Sequence, residues 1–370
     1  MTLHAVHIPV RFEAWVEDQP GPQWRARFDR YWPAYRTWFL RTGTVGRPSY
    51  LDCRRALRKH MPELVSVWES LVDLAGGGDI EARFLSLWCP PPYIGGCTQA
   101  IWTDPAGHEE PALVRNYDYA PALLEGDWVA TRWRGPRVVA MSDCLWGALD
   151  GLNESGLACS LSFGGRTVSG EGFGVPLVLR YVLEVATTTR EAIRLLERVP
   201  VSTTYSITLL DRQGDWATVF VAPDRATEVH RLAVVANHQK CVEWPEHAKA
   251  TRSVERQQWL EGRMTQPGSA RDMAMALTRP PMLQDSYQRG YGTLYTATYW
   301  PRSGAVEMQW PGREPWMQSV ATFAESERTV LFSFAPGEPR QQWPADFKTN
   351  QTRARDTATG DRDIPTPFLS

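Results

Sequence analysis

Apolar residues in the first quarter of the chain recur at helical steps. In "RRALRKHMPELVSVWESLVDLAGGG", Leu57, Met61, Leu64, Trp68 and Leu71 form one stripe of a helix, and Gly76 to Gly78 supply a stop. "FDRYWPAYRTWF" carries an aromatic stripe through Phe28, Tyr31, Tyr35 and Trp38, interrupted by Pro33. Both stripes read as core rather than as cofactor boxes. Residues 1 to about 90 are therefore expected to be mainly helical.

From Cys97 onward the pattern changes to strands with turns. Runs at 97–103, 112–117, 127–133, 137–142 and 157–163 predict strands. "TYSITLLDRQGDWATVFVAP" predicts a hairpin around Arg212 to Gly214, and "GTLYTATYWPRSGAVEMQW" another around Pro301 to Gly304. Between these groups, "PLVLRYVLEVATTTREAIRLLERVP" reads as helical, with Thr188 three residues before Glu191 as in a capping box. "EHAKATRSVERQQWLEGRM" reads as one further helix. Strand groups interrupted by paired helices favour a layered α+β domain over a doubly wound parallel sheet. The chain from about Pro336 is polar and is expected to be a loosely attached tail.

Composition narrows the function classes. A chain of 370 residues can hold two domains, or one large domain with an added segment, and 43% hydrophobic content suffices for a sizeable core. A formal charge of -2 gives no electrostatic reason to expect nucleic acid or an anionic membrane as partner. The opening "MTLHAVHIPVRFEAW" lacks the pattern of a signal peptide, and no apolar stretch approaches the roughly 20 residues of a spanning helix. A soluble, cytoplasmic protein is expected. Six cysteines are too sparse for a disulfide scaffold, and none forms CxxC. His238, Cys241 and His247 make only a weak zinc set, so no metal or cofactor is expected.

Candidate chemistry begins at "PPYIGGCTQAIW", residues 91 to 102, where Gly95-Gly96 precede Cys97. Alone, these residues favour a turn before a strand and a buried thiol. Four later stretches change that balance. "VRNYDY" holds Arg115 and Asp118, "GLNESGLACSLSFGGR" holds Asn153, Glu154 and Ser162, "VVANHQ" holds Asn237 and His238, and "TRSVER" holds Arg252 and Arg256.

In this order the motifs resemble the branch of N-terminal-nucleophile (Ntn) hydrolases that holds isopenicillin N acyltransferase and, more distantly, choloylglycine hydrolases and penicillin V acylases. The resemblance covers residues from roughly 90 to 335. It implies a four-layer α/β/β/α sandwich, with 1–96 as a helical N-terminal pro-segment retained as a subunit, 97–335 as the catalytic domain and 336–370 as the tail. It also implies an autoproteolytically activated cysteine amidase or acyltransferase, acting on a linear amide or thioester through an acyl-Cys97 intermediate. Its partner would be a small-molecule amide or acyl-CoA-like substrate, and a homo-oligomer remains open. The competing reading is an unprocessed, non-catalytic binding protein on the same fold.

Chemistry gives the order a reason. A mid-chain cysteine has only an amide nitrogen beside it, which cannot accept a proton. Cleaving Gly96–Cys97 creates an α-amine with a reference pKa of about 7.7–8.0, a base one side chain away from its own thiol. Gly96, without a Cβ, leaves the approach to its carbonyl open.

The resemblance assigns the other roles. Asp118 would lie near the nucleophile's amine and Arg115 would orient the pair, an Arg115–Asp118 contact keeping the carboxylate ionised and favouring thiolate. A surface ion pair at a strand end is the plain alternative. Asn237 would donate to the oxyanion, its alternative being a turn cap; His238, the next residue along the strand, is aimed at the opposite face and read as structural. Arg256 matches the family's distal arginine better than Arg252 does, with a solvated helix face as the alternative. Ser162 stands where relatives carry asparagine or tyrosine, and a second oxyanion contact through its backbone N–H stays open. Asn153 and Glu154 read as turn residues, and Cys89, Cys144 and Cys159 as buried thiols.

Overall fold

The computed structural model describes residues 6–266 and 268–334. The N-terminal part holds β1 (Val6–Glu17) and four helices, α1 (Pro22–Phe39), α2 (Tyr50–His60), α3 (Val65–Leu74) and α4 (Asp79–Leu85). Six strands follow: β2 (Gly96–Trp102), β3 (Ala112–Tyr119), β4 (Asp127–Thr131), β5 (Val138–Asp143), β6 (Gly147–Asn153) and β7 (Leu157–Phe163). Helices α5 (Val175–Val185) and α6 (Thr189–Arg198) precede β8 (Tyr205–Asp211), β9 (Trp216–Ala222), β10 (Arg225–His230) and the short β11 (Val234–Val235). Helices α7 (Pro245–Ala250), α8 (Ser253–Met264) and α9 (Ala270–Leu277) lead to β12 (Gly292–Trp300), β13 (Ala305–Gln309), β14 (Trp316–Ser319) and β15 (Ser326–Phe334).

These strands form two sheets. One is nine-stranded, in the order β10-β9-β8-β7-β6-β5-β4-β1-β15, and the other six-stranded, in the order β11-β2-β3-β12-β13-β14. Strands β2 and β3 pack face to face on β7 and β8, while α5 and α6 cover the outside of the larger sheet and α8 and α9 the outside of the smaller. The result is an α+β arrangement of four layers, helix, sheet, sheet and helix. Strands β2, β6, β7 and β8 are buried along their whole length because both faces are covered, and the polar side chains among them, such as Gln99, Asp150, Ser160 and Ser162, are buried with them.

The expectation of a helical N-terminal segment needs correction at its first element. Helices α1 to α4 are present, but β1 lies inside the nine-stranded sheet, parallel to β4 and antiparallel to β15. Its period-two pattern is plain: Val10, Phe12 and Ala14 are buried, while Arg11 is exposed and Glu13 half-buried. Phe12 stacks edge-on against Trp310, with ring centroids 4.8 Å apart. The single helix expected over residues 246–264 is two, α7 and α8, broken where Arg252 adopts a left-handed φ of 52°. Thr188 does cap α6, accepting from the Glu191 N–H, while the Glu191 carboxylate accepts from the N–H of Thr187 at 2.8 Å. The polar tail expected over 336–370 lies outside the described residues.

Helix α1 is fastened to the strands through buried acids. Tyr31 donates to the Glu125 carbonyl at 2.9 Å, and Tyr35 donates to the Glu125 carboxylate. The Leu145 N–H and Ser142 hydroxyl donate to the same carboxylate at 2.8 and 3.0 Å, and Arg27 pairs with Asp127 at 3.1 Å. Burial pushes Asp127 up to about 7 against the pull of Arg27. It raises Glu125 and Asp143 as well, and at Glu125 the Asp143 charge adds to the rise. Folded-state values above the unfolded ones mean that stability is present below about pH 4 and lost as pH rises towards 7. Glu125→Gln, which cannot ionise, should therefore gain on wild type as pH rises from 5 to 8, by about 1–3 kcal/mol, read from denaturant midpoints across that range.

Candidate functional site

Strand β2 pairs antiparallel with β3, setting Gly96 opposite Asp118, Cys97 opposite Tyr117 and Gln99 opposite Arg115. Residues directly opposite share a face, so this register sorts the polar side chains into two groups. Cys97, Gln99, Arg115 and Tyr117 face the space between the sheets; Thr98, Asn116 and Asp118 face the outer helices.

On the inner face, Arg115 Nη2 donates to Cys97 Sγ at 2.9 Å. The other guanidinium nitrogen pairs with Asp150 on β6 and donates to the Leu149 carbonyl at 3.1 Å. Asp150 also accepts from the Tyr295 hydroxyl at 2.6 Å and from that of Tyr299. Gln99 bridges to the larger sheet, donating to Ser162 Oγ at 3.4 Å and to the Ser206 carbonyl at 3.2 Å, and accepting from Ser160. Ser162 is thus placed on Gln99 and not on the sulfur.

On the outer face, Arg256 of α8 is fully buried. Its Nη1 pairs with Asp118 Oδ2 at 2.8 Å and also donates to Thr98, and its Nη2 donates to Asn237 Oδ1 at 2.8 Å. Asp118 Oδ1 accepts from Thr293 Oγ1 at 2.6 Å. A register shift between Thr293 and Tyr295 in β12 is what sends the Thr293 and Tyr295 hydroxyls to opposite faces of the sheet.

Asn237 joins the two groups. Val235 of β11 pairs with Gln99, so Asn237, two residues on, lies beside Cys97 and accepts from its backbone N–H at 3.0 Å. Two donors on Oδ1 fix the orientation of the amide, whose Nδ2 makes a 3.4 Å contact with the Phe163 carbonyl and has donor capacity to spare. Gly165 lets this backbone come close: its φ is 72°, and a Cβ there would stand 2.4 Å from the Asn237 carbonyl.

The expected Arg115–Asp118 pair does not form. Three residues apart on a strand, the two side chains point to opposite faces, and each takes a different partner, Asp150 for Arg115 and Arg256 for Asp118. Arg256 reaches the site, whereas Arg252 pairs at the surface with Glu255. His238 bonds Ser253 Oγ at 2.7 Å, away from Cys97. Among the described residues, no group of three or more His, Cys, Asp or Glu could hold a metal ion. Sequence reasoning missed Asp150, Gln99, Thr293 and Tyr295. The available signal was an aspartate inside the otherwise apolar "GALDGLN".

The site is dry. Cys97 is 1% exposed, and burial pushes its thiol up to about 11, with Arg115 pulling the other way. Burial also raises the Asp118 carboxyl, opposed by Arg256.

With this geometry in view, the comparisons place the chain. Residues 105–315, more than half of it, match the family described as acyl-coenzyme A:6-aminopenicillanic acid acyl-transferase, and the chain belongs to that family. The resemblance drawn from the motifs is borne out at the level of this acyl-transferase family. The matched span includes Arg115, Asp118, Asn237 and Arg256 and begins just downstream of Cys97. Among solved structures the chain is similar to a penicillin V acylase from Agrobacterium tumefaciens, at 16% identity, 61% of this chain, 86% of that one and a TM-score of 0.42. It is also similar to a mutant conjugated bile acid hydrolase from Clostridium perfringens, at 12% identity, 63% of this chain, 96% of that one and a TM-score of 0.42. A Caenorhabditis elegans N-acylethanolamine-hydrolyzing acid amidase ortholog matches at 18% identity, 63% of this chain, 100% of that one and a TM-score of 0.44. No curated protein sequence matches the chain.

Gly96 is required here by packing. A Cβ at this residue would stand 1.8 Å from the Tyr291 hydroxyl, whereas one at Gly95 would meet nothing closer than 3.7 Å. Gly96→Ala should lower stability by about 1–3 kcal/mol while Gly95→Ala stays near wild type, a contrast that paired urea denaturation curves would show.

Proposed function

We propose that the protein is a cysteine amidase or acyltransferase activated by scission of its own Gly96–Cys97 bond. The observation that carries this reading is the two-sided hold on Cys97: Arg115 on its sulfur at 2.9 Å and Asn237 Oδ1 on its nitrogen at 3.0 Å, directly behind a glycine. Family membership supports this reaction class.

In the activation step, Sγ attacks the Gly96 carbonyl carbon and a C–S bond forms. The C–N bond breaks, and the Cys97 nitrogen takes the thiol proton. Water then cleaves the thioester, leaving Gly96 as a carboxylate and Cys97 with a free thiol and an α-amine. In turnover the amine accepts the thiol proton as Sγ attacks the substrate carbonyl, and it returns that proton to the departing amine. The acyl thioester passes to water or to an acceptor amine.

Each surrounding residue has a task in this scheme. The Arg115 guanidinium favours thiolate and offsets part of the burial penalty. Asp150 and Tyr295 hold that guanidinium in place. Asn237 Oδ1 keeps the nitrogen beside the sulfur, and its Nδ2 is the donor for the oxyanion, an interaction typically worth about 2.7–4 kcal/mol of barrier. Arg256 aligns Asn237 and Asp118, and Asp118 stands across from Gly96 near the nascent amine. Ser162 enters only as support for Gln99. The place of β1 inside the sheet supports retention of residues 1–96 as a bound subunit after scission.

A second reading, an uncut binding protein, draws on the near-complete burial of Cys97. N-terminal sequencing separates the two. Wild type should give a fragment beginning at Cys97 and Cys97→Ala only the intact 41.9 kDa chain; the same uncut chain from both ends the self-processing scheme. In processed material, Asn237→Ala should lower kcat by about 10²–10³-fold, whereas Arg252→Ala, altered at an exposed ion pair, should stay within about twofold; steady-state kinetics on one acyl amide checks both.

A further inference from the structure

The residues just upstream of Cys97 run between aromatic side chains. Gly96 lies under the Tyr291 hydroxyl, with no room for a Cβ, and Gly95 lies against Tyr117 and Tyr119. Ile94 is buried. Half-buried Tyr93 sets its ring edge-on to Trp38 and Tyr119, with centroids 6.4 Å away in each case, and its hydroxyl donates to Asp143 Oδ2 at 3.2 Å. The Tyr93 carbonyl contacts the Tyr205 hydroxyl at 3.5 Å. Tyr93 and Gly96 are three residues apart, so this run spans roughly 10 Å of extended chain.

We propose, resting on the amidase reading above, that the run now filled by Tyr93 to Gly96 is the acyl subsite of the mature enzyme, vacated when the new chain end at Gly96 swings out while β1 and α1 to α4 stay in place. It takes a straight acyl group, unbranched beside the carbonyl and ending in a hydroxyl-bearing aromatic ring. The reason is chemical. The activation thioester and the turnover thioester put a carbonyl carbon on the same sulfur, and what lies beyond that carbon is Gly96, Gly95, Ile94 and Tyr93 in the first case and the substrate's acyl chain in the second. The chain's own residues are therefore the first acyl group this site accepts. Tyr291 excludes a substituent on the first carbon, Tyr117 and Tyr119 form the wall beyond it, and Asp143 accepts the terminal hydroxyl. Trp38 belongs to α1, so the retained N-terminal segment completes the subsite.

Such an acyl group can come from a peptide or from an aryl-capped straight-chain acid. Four coumarin amides test the class on processed wild type: Tyr-Ile-Gly-Gly, Phe-Ile-Gly-Gly, Tyr-Ile-Gly-Ala and a straight-chain acyl amide capped with 4-hydroxyphenyl. The first should exceed the second in kcat/KM by about tenfold or more, the value of one hydrogen bond to a carboxylate, and the third by about a hundredfold. Asp143→Asn should shrink the Tyr-to-Phe ratio, with circular dichroism confirming its fold; if that variant does not fold, the wild-type ratios decide alone. Activity on the fourth amide at or above the first marks a fatty-acyl source, and the reverse a peptide source; either agrees with the subsite. Processed enzyme that hydrolyses acyl amides yet ignores both the hydroxyl and the added methyl overturns the subsite and leaves the amidase standing. Absence of any Cys97 N-terminus overturns both.

Discussion

The pairing of β2 with β3 is the constraint on which the site depends. It sets Cys97 across from Tyr117 and two residues away from the Arg115 register, so the guanidinium reaches the sulfur along one face of the sheet. The same pairing turns Thr98 and Asp118 to the other face, where Arg256 gathers them with Asn237. A one-residue slip would exchange the two faces and put the thiol among the outer helices. The bulge in β12 fits the neighbouring strand to this division, giving one hydroxyl to each face.

Two buried arginines, Arg115 of β3 and Arg256 of α8, lie on opposite faces of the β2–β3 pair, and each is neutralised by a buried aspartate. Breaking either pair would leave an uncompensated charge in a dry interior, which is costly, so both networks hold their geometry firmly. That firmness matters for a sulfur whose burial opposes ionisation. Arg115 supplies the compensating field from a fixed place, and Asn237 keeps the adjacent nitrogen fixed as well.

Much of this was readable in the sequence, for identifiable reasons. Strands at 112–117, 137–142 and 157–163 showed themselves as short, mainly apolar runs bounded by turn residues. Cys97, Asn237 and Arg256 stood out through the order of their motifs. Asp150 did not, since one acid in an apolar run carries its meaning only through Arg115, 35 residues away. The Arg115–Asp118 pair failed because spacing was weighed without the two-residue period of a strand. Strand β1 was passed over although it alternates, since the helical stripes behind it set the expectation for the whole segment. The break at Arg252 depends on a left-handed backbone at a residue type that seldom adopts it, which composition does not announce.

The location of β1 also bears on what a cut at residue 96 could release. With β4 on one side and β15 on the other, this strand shares two ladders of backbone hydrogen bonds with chain on the far side of the cut. Separating the pieces would strip both ladders and bare the groove that Phe12 fills against Trp310, which amounts to denaturing the larger piece. A nick would therefore change the number of chain ends without changing the number of independently diffusing bodies, and dilution alone would not drive the halves apart.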